Sequence, residues 1–348
     1  MQPGFALCRT SPNGARLAFI QAACAVAEGA TVVGTGTAAD AAAPALAAAL
    51  ADPLRRVCVM GGRQGLLRSL GSVYAGSVVR FLGGFRGVAS RVIPTPGVVS
   101  WCNGVAVTRD GCTLLVTDTF GGSQGIHTYC VRTALPSGVV GSAGEGPLQF
   151  RMPCQICVAE DGAVFVADAS NDRIQVLTPQ LDFHSFIGVG QIHCPSGVCA
   201  NSDVVATSER LMDCISVFGR RDGALLRRVA SSGRNDGEVD MPLGLCFLSG
   251  NTHIAFADCD NRRVSVFSVD GAFVRHVGKS KDPVGVACCT AAHGELVVAS
   301  DREIAVWSAD NETLHTISCG DFQAIGVAIH GDTVFATTYG SHACIVFT

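Results

Sequence analysis

The chain has 348 residues, 48% hydrophobic and only 16% charged, with a formal net charge of −4 and 41 glycines. High hydrophobicity with little net charge excludes a disordered chain. The missing Glu/Lys heptads exclude a coiled coil, and the acidic balance excludes a strongly basic domain that binds nucleic acid by charge alone.

Residues 1–65 read as an Ala-rich leader, partly helical or disordered, continuing through Asp40 to Leu50 around Pro44. Within it Arg9 and Arg16 precede an apolar stretch, Leu17 to Ala27, ending in Ala25-Val26-Ala27 before Glu28, in the manner of a signal cleavage site. That stretch is short and broken by Gln21, which favours an uncleaved leader and a cytoplasmic protein; cleavage after residue 27 would make the protein secreted or lumenal. No run of 18 apolar residues is free of charge or amide, so no membrane helix is expected.

Residues 66–348 carry a repeat. A short apolar motif recurs as Gly104-Val105-Ala106-Val107, Gln155-Ile156-Cys157-Val158, Gly197-Val198-Cys199-Ala200, Gly244-Leu245-Cys246-Phe247, Gly285-Val286-Ala287-Cys288 and Gly326-Val327-Ala328-Ile329. A period in the forties with several short strands per unit predicts propeller blades. Second strands are expected at Leu114 to Thr117, Val164 to Ala167, Val204 to Thr207, Ile254 to Ala257, Leu296 to Ala299 and Val334 to Thr337. Third strands are expected at Ile126 to Val131, Ile174 to Leu177, Ile215 to Phe218, Val264 to Phe267, Ile304 to Trp307 and Cys344 to Phe347. A fourth is readable at Phe183 to Ile187, Ala224 to Val229, Phe273 to Val277 and Leu314 to Ile317.

The fold class is therefore all-β, a six-bladed β-propeller of four-stranded antiparallel blades. The sixth unit stops after its third strand. Gly76 to Gly83 aligns with Gly271 to Gly278, so the N-terminal strand Ser77 to Leu82 is expected to close the last blade and remove an open edge.

Units two and four continue through a Gly-rich stretch into a strand–Asp–Asn–Arg–strand pattern. Unit two gives Gly141 to Gly146, Phe150, Pro153, Asp168, Asn171 and Arg173; unit four gives Gly233, Gly237, Pro242, Asp258, Asn261 and Arg263. On these residues the repeat resembles the NHL family of six-bladed propellers, over roughly Ser77 to Thr348. The resemblance implies a propeller that recognises substrates for a ubiquitin ligase or binds single-stranded RNA. Some NHL-like lyases hold a catalytic zinc through histidines of several blades.

The aligned column Asp118, Asp168, Ser208, Asp258, Ser300 and Thr338 puts a short oxygen-bearing side chain where strand two turns into strand three. Such oxygens bond their own turn backbone, and Arg173 and Arg263 fit as braces of the same turns. Cys157, Cys199 and Cys246 alternate with alanines on the inner strands, where small apolar fillers are needed. Only His193 and His342 fall on the loop-rich face, so no three-His metal site forms, and neither a metal nor a cofactor is expected. The C-x-x-C at Cys154 and Cys157 lies on a strand, where residues three apart face opposite ways. No catalytic residue is identified.

What remains is a face rich in Arg and aromatic residues, the types favoured at protein interfaces. Its candidate partner-binding residues are Trp101, Phe120, Arg151, Arg173, Arg210, Arg262, Arg263 and Arg302. The sequence reads as a monomeric, non-catalytic scaffold whose loop face binds a protein. Single-stranded RNA on that face, or a lyase or hydrolase at the central channel, are the alternatives.

Overall fold

The computed structural model describes residues 5–8, 31–34, 57–59, 79–80, 89–94, 102–120, 122–248, 250–279, 283–288, 296–307, 313–319, 323–331, 333–339 and 343–347. Two compact units emerge, one of Met1–Val92 with Val346–Thr348 and one of Ile93–Ile345. In the first, strands Phe5–Cys8, Thr31–Gly34, Val57–Val59 and Val79–Arg80 pair in parallel in chain order. The helical leader expected around Pro44 lies outside the described residues.

The second unit is an all-β propeller. Its inner strands are Cys102–Val107, Pro153–Val158, Pro195–Ala200, Pro242–Phe247, Pro283–Cys288 and Gln323–His330. Each packs against the next, and the last packs against the first. Five blades consist wholly of four consecutive strands, against the six expected. The last repeat supplies three strands, Gln323–His330, Thr333–Tyr339 and Ala343–Phe347, and the strand beside the third is Ala89–Pro94. The closing strand expected at Ser77 to Leu82 is thus corrected, since Val79–Arg80 pairs with Val57 and Cys58 instead. Outer strands explain the error: Phe183–Ile187 and Leu225–Val229 each bury only their last residue. A pattern with one buried position specifies register weakly, and many short segments satisfy it.

The second strands are the opposite case. Every residue of Val164–Asp168 and of Val204–Glu209 is buried, because both sheet faces meet a neighbouring blade. The core accordingly lies between blades. Phe165, Ile174 and Ile187 pack on Val198, Val205 and Phe218, and Ile215 and Val229 pack on Leu245, Phe256 and Phe267. Burying each such side chain is worth about 1.5–3 kcal/mol.

At the hub the inner strands approach so closely that side chains are excluded. A Cβ on Gly326 would run into the carbonyl of Asn103 in the first blade, and one on Gly197 into the carbonyl of Leu243 in the next. This steric demand is the physical origin of the glycine that opens five of the six repeated motifs.

Candidate interaction face and central channel

Antiparallel connectivity puts the turns between second and third strands on the same face as the loops linking blades. These turn tips are held by buried carboxylates. Asp168, fully buried, accepts from the Arg151 N–H at 2.7 Å, Asn171 Nδ2 at 2.9 Å and Arg173 Nε at 2.9 Å. Arg173 then donates to the carbonyls of Glu145, Gly146 and Gln149 while its guanidinium stacks 4.0 Å over Phe186. Repeat four is built alike. Asp258 accepts from Asp240 N–H, Asn261 and Arg263, and Arg263 donates to the carbonyls of Arg234, Asn235 and Glu238. The Gly-rich loops are thereby fixed to the blade. The guanidinium groups of Arg173 and Arg263 are bonded to the blade's own carboxylate and to loop carbonyls, and so brace these loops.

The acid column has one correction. Pro195 pairs with Glu209, as Pro153 does with Asp168, so Glu209 and not Ser208 is the third member. Glu209 is fully buried and accepts from the His193 N–H at 2.8 Å and from Ser216 Oγ, with Arg228 Nε at 3.5 Å. In the first repeat Asp118 accepts from Ser123 Oγ at 2.9 Å, and that hydroxyl also meets His127 Nε2 at 2.8 Å.

Four residues past the acid in repeats two to four, and six past it in the first, each tip takes a left-handed backbone: Gln124, Asp172, Asp213 and Arg262 have φ between 44° and 55°. Three of these side chains latch the next blade. Gln124 Oε1 accepts the Met152 N–H, Asp172 Oδ1 that of Cys194, and Asp213 Oδ1 that of Met241. Arg262 has no acceptor atom and cannot form this bond.

Ser208 belongs to a different column. Its hydroxyl receives the Gly197 N–H and donates to the Leu243 carbonyl, tying one inner strand to the next. Thr117 links Gly104 to Cys154 in the same way, and Thr337 links Gly326 to Asn103.

Where five repeats carry glycine, the second carries Gln155, and its side chain crosses the channel. Nε2 donates to the Leu245 carbonyl at 2.9 Å, while Oε1 accepts the N–H groups of Val198 at 3.1 Å and Leu245 at 3.0 Å. Gln155 lines two cavities and separates them. The one towards the loop face measures about 180 Å³ and is bordered by Asn103, Cys154, Ser196, Arg210 and Met241. The one at the opposite end measures about 500 Å³ and is bordered by Cys157, Cys199, Cys246, Asn251 and His330. Burial pushes the Cys154 and Cys157 thiols up to about 12, and Cys199 is raised as well. These are unreactive packing groups, and no group of three or more metal-ligating side chains occurs among the described residues.

Of the remaining candidates, Phe120 is 51% exposed, while Arg262 and Arg302 are exposed. Arg151 is exposed and pairs with Glu145 at 2.7 Å. Arg210 borders the upper cavity. Trp101 lies outside the described residues. Sequence reasoning missed Val189, Leu211 and Met212, which are 59%, 71% and 55% exposed on the same face. The apolar pair Leu211-Met212, in the turn that follows the second strand, was the available signal. Among the described residues no helix is long and apolar enough to cross a membrane.

No family model matches the sequence. The curated RING finger protein nhl-1 of Caenorhabditis elegans is 43% identical over 63 residues, 18% of this chain and 5% of that protein. The chain thus matches only a small part of that relative's length. A solved streptogramin B lyase superposes with a TM-score of 0.54 at 13% identity, covering 73% of this chain and 82% of that one. The virginiamycin B lyase of Staphylococcus aureus gives 0.53 at 12% identity, with the same coverage. At such identities the likeness carries the fold alone, and that fold is an all-β propeller.

Proposed function

We propose that the chain is an NHL-type, six-bladed propeller serving as a non-catalytic scaffold that binds a protein through its loop-rich face. The observation that carries this reading is the exposure of Phe120, Val189, Leu211 and Met212 on that face, while its carboxylate column is turned inward and satisfied. Large apolar side chains held on rigid tips are the anchors a protein interface uses. The exposed arginines are interspersed with acids, as in the Arg151–Glu145 and Arg234–Asp240 pairs, a mixture that suits a protein partner better than a polyanion such as RNA. The RING finger named in the nhl-1 relative supports a place in a ubiquitin-ligase pathway.

The test is affinity purification from native cells of wild type and of the double variant Leu211→Asp/Met212→Asp, with ultraviolet-crosslinked RNA recovered in parallel. The reading expects a stoichiometric protein partner that the variant loses while its unfolding midpoint is unchanged. RNA recovered from wild type and lost in Arg262→Gln would overturn it.

A further inference from the structure

The chamber towards the loop face is bordered by a cation that has no oxygen partner among the described residues. Arg210 is the only charged side chain among the described residues that border it. Its Nε donates to Cys194 Sγ at 3.0 Å, a weak acceptor, and its two Nη groups have no partner among the described residues. Arg173 and Arg263, by contrast, end on carboxylate and carbonyl oxygens throughout. Two further polar side chains at or beside the chamber are engaged elsewhere. Gln155 has its amide committed to Val198 and Leu245 and forms an uncharged floor, and the carboxylate of neighbouring Glu209 is taken by His193, Ser216 and Cys214. Arg210 is half-buried beside this open-mouthed space, and the planar fork of a guanidinium matches a carboxylate with two parallel hydrogen bonds.

We propose that this chamber is a carboxylate-binding site at the centre of the loop face, with Arg210 as the counter-charge. Its volume, about 180 Å³, accommodates a carboxymethyl group with a few waters, each water occupying roughly 30 Å³. The carboxylate is supplied by an acidic side chain of the docked protein. For that source alone the inference rests on the proposed function; binding of a carboxylate as such does not depend on it.

The test titrates full-length protein, labelled with ¹⁵N-arginine, at constant ionic strength in sodium chloride. The ligands are sodium acetate, acetamide and the blocked peptide acetyl-Gly-Asp-Gly-amide. The signal followed is the Arg210 Nε–Hε resonance, assigned by its loss in Arg210→Lys. The inference expects a saturable shift with acetate, none with acetamide, and at least tenfold weaker binding in Arg210→Gln, read by calorimetry. Arg221→Gln, which removes an exposed charge from the opposite face, should bind as wild type does. Circular dichroism establishes that each variant is folded, and Arg210→Lys, which keeps the charge but loses the fork, should bind several-fold more weakly. Absence of saturation, equal binding by Arg210→Gln, or competition by chloride at the same concentration would overturn the carboxylate site. Acetate binding without peptide binding would overturn the protein source, while the Leu211/Met212 purification tests the scaffold reading separately.

Discussion

Gln155 spans the channel on three hydrogen bonds, and replacing it measures what that span contributes. In Gln155→Ala the Leu245 carbonyl and the N–H groups of Val198 and Leu245 all lose their side-chain partner. At a net 0.5–1.5 kcal/mol per bond the loss is about 2–4 kcal/mol. Water reaching the freed groups from the adjoining cavities would hold the value near the lower end. Gln155→Leu keeps most of the volume but excludes that water, so it should cost more than alanine, about 3–5 kcal/mol. The assay is equilibrium urea unfolding by far-ultraviolet circular dichroism, comparing midpoints at constant slope. Both variants within 0.5 kcal/mol of wild type, or leucine milder than alanine, would refute a hydrogen-bonded plug.

Arg173→Ala removes a buried cation that pairs with Asp168 and holds three loop carbonyls, so about 3–5 kcal/mol should be lost in the same assay. A loss under 1 kcal/mol would mean that the loop stands without its brace. Asp213→Asn should be nearly neutral, since it keeps the acceptor for Met241 and tolerates φ of 48°, whereas Asp213→Ala should cost about 1–3 kcal/mol in thermal unfolding. The raised thiols of Cys154, Cys157 and Cys199 stay protonated in the fold beyond the ordinary value of 9.0. Their contribution is therefore complete below pH 9 and is lost as pH rises towards 12, by up to about 1.4 kcal/mol per thiol at pH 10. Urea midpoints at pH 8 and pH 10 check this, and Ala variants of the three thiols should remove most of the difference.

The repeat was legible because its inner and second strands are buried on both faces, and every position in Val164–Asp168 is constrained by a neighbour. The glycine column was legible for the same steric reason, although the meaning of its exception, Gln155, needed the third dimension. Outer strands were not. Pro136–Val140 is almost wholly exposed and passed unrecognised, and Ala89–Pro94 lost its place beside the last strand to a segment that merely matched in pattern. The acid column slipped by one residue in repeat three because glutamate is not the residue the repeat elsewhere uses; only the pairing of Pro195 with Glu209 reveals it. The sequence does not distinguish Arg173, folded under its loop, from Arg210, which borders the chamber with its Nη groups unpartnered among the described residues.

The central claim is that one face of this propeller is the docking face. It is tested most directly by photo-crosslinking in native cells, with benzoylphenylalanine placed singly at Phe120, Leu211 and Leu135. Leu135 is 64% exposed and lies at the opposite end, between a third and a fourth strand. The account predicts one and the same protein adduct from positions 120 and 211 and none from 135. An adduct only from 135, or equal adducts from all three, would contradict it.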